Sequence, residues 1–577
     1  MLAILAQLFL VCFLLIVNGE LLRFFVLRRL KLFMNLDLVQ ICILDVYLGG
    51  FILYVIAMLP FKLFNWMFII GFSSICIILS FVVHFGALKD TVNMLKTKTC
   101  FTRNNLKVFS TYILIFIMFA IFLLINLLSV SSLVFGSVRD ESIHSLHVQV
   151  ILENSYVPLT LQPYLPEGII YPQASHVIFA FASHFLNMDI PNVVLYVTIF
   201  FKSLSVVAAY FLGLRIGFNR TYSVGLSFVF AFISSWPLFV TWGGNPFTVG
   251  FPLFLVCLGL VFSLFCSGEK NSYAELLIVG LLFGYLGAII ISYLQTLMTT
   301  AFLILIYYSV RKFRISHLFL DFLIVFGISI LPLSPFLSRF FAFYQYPGHN
   351  VGLPSDFTQW KPQQFYITQA LQWAFDNLSP YLLLRVMIVF MLAIYAVLIW
   401  KTKNYENMKP TIAFGSTIFV SATLLSFISF FLPADFGVVS WGHQGIILSI
   451  FVNIVIAAFY IKFRKSCNEW TKKYLPKVFS KSFGTTTIST IAILSLVSTP
   501  FIYNRLSLDP SALRGAYGVY AVTTIDDYNL MLWMRENLSA SAVVLVHPFE
   551  AGLFIPSISH HKIVYPCLLY TSPSPRD

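Results

Sequence analysis

The chain has 577 residues, 59% of them hydrophobic and only 10% charged, with a mean hydropathy of +0.88, against about 25% charged residues in a soluble domain. This excludes a soluble globular protein, and because a membrane β-barrel would show short alternating segments, it points to a helical membrane bundle. The net charge of +13 does not argue for a nucleic-acid partner, because the basic residues are not gathered on one soluble face.

The first segment, MLAILAQLFLVCFLLIVNG, has no basic start and is followed by Arg23, Arg28, Arg29 and Lys31, so it reads as a first span and not as a signal peptide. Crossing the hydrocarbon takes about 20 helical residues. On that basis hydropathy gives about fourteen spans, at 2–19, 38–59, 67–87, 109–135, 191–214, 221–241, 246–266, 275–291, 294–309, 317–338, 380–400, 410–432, 441–461 and 484–502. The segment ASHVIFAFASHFLN, 174–187, is too short to cross and puts His176, Ser183, His184 and Asn187 on one stripe, so it is expected to lie in the membrane interface. The break between the eighth and ninth spans is expected at Ser292 and Tyr293. From Tyr503 the chain turns soluble in character: a helix from Asp526, a buried strand AVVLV from Ala542 and a second strand in HKIVYP from His561 imply a small α/β unit. No Cys pair has CxxC spacing, and four cysteines (Cys12, Cys42, Cys76 and Cys257) fall in spans, so neither a zinc site nor a disulfide framework is signalled.

Loops of one parity hold 25 of the 36 Lys and Arg residues, whereas the opposite loops between spans hold Lys62, Arg139, Arg339 and Lys361. Lys and Arg are retained on the cytoplasmic side, so this alternation fixes the orientation. It puts the loops 136–190 and 339–379, and the tail, on the extracytoplasmic face. Asp45, Lys202 and Arg385 are among the few ionisable residues inside spans.

Directly after the fourth span comes RDESIHSLH, residues 139–147. As a helical turn it would set Asp140 and His144 at i and i+4 and His147 at i+7 on one face, with Glu141 offset by about 100°. A carboxylate can take a proton from a sugar hydroxyl or hold a divalent cation, and an imidazole can do either or donate to a phosphate oxygen. Arg339 and Lys361 are among the few cations on the outer face. Outward-facing polar and aromatic residues near helix ends, among them Asn245, Tyr293 and Gln295, read first as interfacial belt residues.

Asp140-x-x-x-His144, then YPQASH at Tyr171 to His176 leading into a juxtamembrane helix, then a span ending in LGLRIG, resembles the first outer loop of the GT-C superfamily of membrane glycosyltransferases. The match is nearest to their poorly characterised prokaryotic members, with alanine where glycine is common in the YPxGxH-like segment. The tail, with Trp533, ENLS, AVVLV and GLFIPSISHHKIVYP, is similar to their extracytoplasmic ends. The three spans at 1–108 read as an added N-terminal module, and CLLYTSPSPRD, 567–577, resembles translated adaptor sequence and is expected to be a non-native tail. The resemblance covers roughly 109–566 and implies an all-α polytopic GT-C-like protein of about 14 spans, with a core at 109–502 and an extracytoplasmic α/β unit at 503–566.

It further implies a prokaryotic plasma-membrane enzyme that takes a polyprenyl-phosphate-sugar donor and transfers the sugar to a glycan, lipid or protein acceptor on the outer face. Asp140, Glu141 and His144 would then be catalytic. His147, Tyr171, His176, Arg339 and Lys361 would bind substrate, and Asp140 with His144 would hold a divalent metal, Mg or Mn. The WWD-type motif of oligosaccharyltransferase catalytic subunits does not occur. The competing readings are a transporter or flippase of lipid-linked sugar, and a catalytically silent subunit of the same fold.

Overall fold

The computed structural model describes residues 2–96, 103–138, 140–164, 171–232, 244–266, 271–312, 315–345, 518, 521–547 and 550–564. The four spans expected between 380 and 502 lie outside the described residues. Those described form a polytopic, mostly helical membrane protein, in which seven helices are long and apolar enough to cross a bilayer.

In chain order these are α1 (Leu2–Phe25), the one-turn α2 (Lys31–Met34), α3 (Leu38–Met58), α4 (Trp66–Lys96), α5 (Arg103–Val130), α6 (Glu141–Asn154), α7 (Ala174–Ser183), α8 (Ile190–Arg215), α9 (Arg220–Phe232), α10 (Asn245–Cys266), α11 (Tyr273–Ile289), α12 (Ile291–Lys312) and α13 (Ile315–Gln345). Each of the first ten expected spans is met by a helix, although α9 and α11 run only 13 and 17 residues. Local chemistry sets the helix starts. Capping boxes formed by Asp37 with Gln40 and by Ser272 with Glu275 open α3 and α11, and Pro191 stands in the first turn of α8 after Asp189.

α8 and α10 form the centre. Of their apolar windows 89% and 83% is buried, against 17% for α4 and 22% for α13, which stand at the outside of the described bundle. In hydrocarbon there is no hydrophobic drive between helices, so contact depends on close packing at small residues. A Cβ built on Gly49 of α3 would stand 2.0 Å from the Leu15 carbonyl oxygen of α1, and one on Gly284 of α11 would stand 2.3 Å from the Ser329 carbonyl oxygen of α13. Gly49→Ala is accordingly expected to push α1 from α3 and lower stability by about 1–3 kcal/mol, the usual cost of overpacking. An unchanged thermal midpoint in detergent would show that the two helices can separate without loss.

Of the three ionisable residues singled out inside spans, the two that are described are partnered. Arg23 Nε donates to both carboxylate oxygens of Asp45, at 2.9 and 2.8 Å. Lys202 Nζ donates to Asn126 Oδ1 and lies over the Phe122 ring. Arg385 is outside the described residues.

Three expectations are corrected. The fourth span stops at Val130 and not near Phe135. The apolar residues Phe135 and Val138 instead enter the core of the C-terminal unit, with Met531, Phe554 and Ile558. The 174–187 segment does not lie in an interface: Ala174–Ala182 are all buried, packed among α3, α6, α8 and α11. The break between α11 and α12 falls at Ile290, whose extended backbone interrupts the helix before Ser292.

The C-terminal unit holds α14 (Ile525–Asn537), opened by a Thr524–Asp527 capping box, β1 (Val543–Leu545), α15 (Ile555–Ile558) and β2 (Lys562–Val564). The two strands pair in parallel, with Val544 opposite Ile563. Strand β1 is more exposed than expected, its residues reading exposed, intermediate, exposed. The unit is seated on the membrane helices by Tyr528, whose hydroxyl donates to Asp189 Oδ2 at 2.6 Å, and by a 2.9 Å contact of His560 Nδ1 with Gln149 Nε2.

Candidate functional site

Helix α6 starts after the ten-residue connection 131–140 that follows α5. Asp140 occupies the N-cap, and Glu141 places an acid in the first turn, where the helix dipole favours negative charge. The His144 amide donates to the Asp140 carbonyl at 3.0 Å, so the two side chains stand one turn apart as the sequence spacing predicts. The far end closes at Ser155 in the left-handed region, φ 59°.

The exposed, solvated stretch that four titratable residues would ordinarily make is not what forms. Glu141 is 0% exposed, His144 5% and His147 4%. They are covered by the YPQASH segment, which brings in His176 at 0% exposure. His144 Nδ1 and His176 Nε2 approach to 3.0 Å, and the His147 and His176 rings stack at a tilt with centroids 4.7 Å apart. Tyr171 packs edge-on against His144 and His176, with centroids at 5.5 and 5.7 Å. Gln173 ties the group together: its Nε2 donates to the Tyr171 carbonyl at 2.8 Å and lies 3.3 Å from His147 Nδ1. Sequence reasoning passed over Gln173, although it stands two residues after Tyr171 in the same motif.

Glu141 points away from the histidines. Its Oε1 accepts from the Gly136 amide at 3.0 Å, and its Oε2 accepts from Asn245 Nδ2 at 3.4 Å. A Cβ on Gly136 would fall 2.1 Å from Glu141 Oε2, so only glycine lets the carboxyl into this pocket. Asn245, which opens α10, was legible only as an outward-facing polar residue, because its partner lies 104 positions away.

Burial dominates the electrostatics. It pushes the Glu141 carboxyl up to about 8, against the pull of the Asn245 and loop-amide hydrogen bonds. It holds His147 down at about 3, helped by His144 and Arg339 and opposed by Gln173. His176 is lowered by burial and then by His147 and His144, and the Tyr171 hydroxyl is raised by burial and then by the charge of Asp140. At neutral pH both imidazoles, His147 and His176, are therefore uncharged, and the Glu141 carboxyl is largely protonated.

Asp140 and Arg339 thus act electrostatically on the same aromatic and imidazole cluster from two elements. Arg339, late in α13, also reaches the Val157 carbonyl through Nη2 at 3.4 Å. Arg139 and Lys361 lie outside the described residues. Among the described residues no group of three His, Cys, Asp or Glu side chains converges to hold a metal ion. His144 Nδ1 and His176 Nε2 are turned toward each other.

No protein-family model matches the sequence, and no curated protein matches it. Among solved structures the chain is similar to the oligosaccharyltransferase of Archaeoglobus fulgidus tethered through a disulfide bond to an acceptor peptide containing the NVT sequon, at 12% identity and a TM-score of 0.43. That alignment covers 77% of this chain and 63% of the other, so the chain spans less than two thirds of that enzyme's length. It is also similar to the same enzyme in complex with Zn and sulfate, at 12% identity and a TM-score of 0.39, covering 77% of this chain and 62% of that one.

Proposed function

We propose that the chain is an integral membrane glycosyltransferase that transfers a sugar from a polyprenyl-phosphate-linked donor to an acceptor on the extracytoplasmic face. The observation that carries this reading is the joining of the Asp140–His144 turn to a buried His147–Tyr171–His176 cluster, with Arg339 acting on the same cluster. A carboxylate that can take a proton and a cation that can stabilise a leaving phosphate suit glycosyl transfer from a phosphate ester, and a fixed imidazole can orient the acceptor.

In that reaction the acceptor hydroxyl oxygen attacks the anomeric carbon of the donor. Asp140 takes the hydroxyl proton as the new glycosidic bond forms. The bond from the anomeric carbon to the phosphate oxygen breaks, and the electron pair leaves with the polyprenyl phosphate, whose charge Arg339 stabilises. His144 is held in its rotamer by His176 and Tyr171. When it donates from Nδ1 it keeps a lone pair on Nε2, and with it the capacity to orient the acceptor. Glu141 is occupied by the loop amide and Asn245, which suits a positioning role and not the direct part in catalysis suggested by its place in the motif.

The test is transfer itself. Purified protein given radiolabelled polyprenyl-phosphate-sugar and extracted membranes is expected to move label into a lipid-free or acceptor-bound product. Label that crosses the bilayer without leaving its lipid would favour the transporter reading instead. That reading draws support from Lys202, a basic side chain wholly buried in α8 against Asn126.

A further inference from the structure

A second site lies in the bundle wall, built by α1, α3, α5 and α8. It is a crevice of about 200 Å³ lined almost wholly by apolar side chains, among them Cys12, Cys42, Val46, Phe119, Leu204 and Val207. An apolar cavity of roughly 150 Å³ already takes up hydrocarbon and stays free of water. Its mouth carries Phe9, Leu38 and Phe116, which are 39%, 58% and 58% exposed, so it opens sideways and not into the core. The helices that line it are four of the seven long and apolar enough to cross a membrane, so a mouth on their outer face would meet lipid.

One end of the crevice has a marked charge character. Tyr112 lines it there, and Arg220, exposed at the start of α9, acts electrostatically on Tyr112 and on Tyr210. The neighbouring Asp37 carboxylate is already engaged, with Oδ1 accepting from the Gln40 amide at 3.0 Å and Oδ2 from the Tyr210 hydroxyl at 2.8 Å. Arg28, Arg29 and Lys31, all exposed, occupy the turn from α1 to α3 at this same end. The combination is an apolar slot in the hydrocarbon layer under a cationic rim at headgroup level, which complements a lipid whose headgroup is anionic.

We propose that this crevice holds one acyl chain of an anionic glycerophospholipid from the leaflet at the basic end of the bundle, with its phosphate at Arg220. The site is separate from the Asp140 cluster and stands or falls independently of the glycosyltransferase reading. A bound chain there fills the seam between α1 and α3 on one side and α5 and α8 on the other.

The experiment uses the full chain in nanodiscs of equimolar phosphatidylglycerol and phosphatidylcholine, with a photoactivatable diazirine on an acyl chain of one lipid or the other. The phosphatidylglycerol probe is expected to label peptides containing residues 38–46 and 112–119 severalfold above the apolar exposed face of α4. Leu204→Trp, which fills the crevice, is expected to remove that excess, while Ile75→Trp on α4 leaves it intact. Arg220→Gln keeps the apolar lining and is expected to cut the preference for phosphatidylglycerol by about fivefold, the effect of one cation near an anionic surface. Equal labelling of α4 and the crevice in the unmodified chain would overturn the proposal, whatever the variants do. So would equal labelling of the crevice by the phosphatidylcholine probe.

Discussion

Asp140→Asn is expected to lower sugar transfer by about 10²–10⁴-fold, the contribution of a positioned general base. The substitution keeps the shape of the side chain and its place at the head of α6, where the backbone carbonyl still receives the His144 amide. What it removes is the capacity to take the acceptor proton. The loss therefore belongs in kcat, with donor binding little changed, since the donor phosphate is assigned to Arg339 and not to Asp140. Asp140→Glu restores a carboxylate one methylene out of place and should recover part of the rate. Turnover in Asp140→Asn equal to that of the unmodified chain would remove Asp140 from the mechanism. A fall in donor affinity with kcat unchanged would reassign it to binding.

His144→Gln offers a complementary result. Its imidazole sits 3.0 Å from His176, and the amide can preserve that hydrogen bond while losing the second ring nitrogen. A fall of about tenfold or more is expected if that nitrogen handles the acceptor. Retained activity would limit His144 to holding His176 in place.

The Asp140–His144 turn was legible because helix geometry fixes which side chains share a face, whatever surrounds them. The helices that meet the first ten expected spans were legible for a similar reason, since a run of apolar residues at span length has few other uses. Burial was not. Hydropathy could not separate a ten-residue helix in an interface from one in a core, and α7 proved to be buried because α3, α6, α8 and α11 pack around it. Nor could it divide an apolar run between two purposes: Phe135 continues the fourth span in sequence, yet its ring packs at 4.9 Å on Phe554 of the C-terminal unit. The partner of Glu141 is a matter of tertiary contact, and no local pattern connects residue 141 to residue 245.

The cluster is also expected to give the fold opposing pH limbs, each removable by one substitution. Glu141 is raised to about 8 in the folded chain from its ordinary 4.5, so between those values the folded state holds a proton that the unfolded state has released. Stability must then fall as pH rises through that window, by up to about 1.4 kcal/mol per pH unit from this group. His147 behaves in the opposite sense. Lowered to about 3 from 6.5, it stays neutral when folded and takes up a proton on unfolding, so its contribution is complete above 6.5 and is lost as pH falls toward 3. Glu141→Gln is expected to flatten the alkaline limb and raise the thermal midpoint above pH 8. Its amide can still accept from Gly136 and can donate to Asn245 Oδ1, which has no partner among the described residues. Glu141→Leu loses both hydrogen bonds, leaves the Gly136 amide buried and unpaired, and should destabilise at every pH by about 1–3 kcal/mol. His147→Gln should flatten the acid limb alone. Thermal midpoints from pH 4 to 9 in one detergent separate these effects, because only the titrating groups give a slope. An alkaline limb that persists unchanged in Glu141→Gln would mean that this carboxyl is ionised where it lies, and with that the buried, protonated anchor between the loop, α6 and α10 would have to be abandoned.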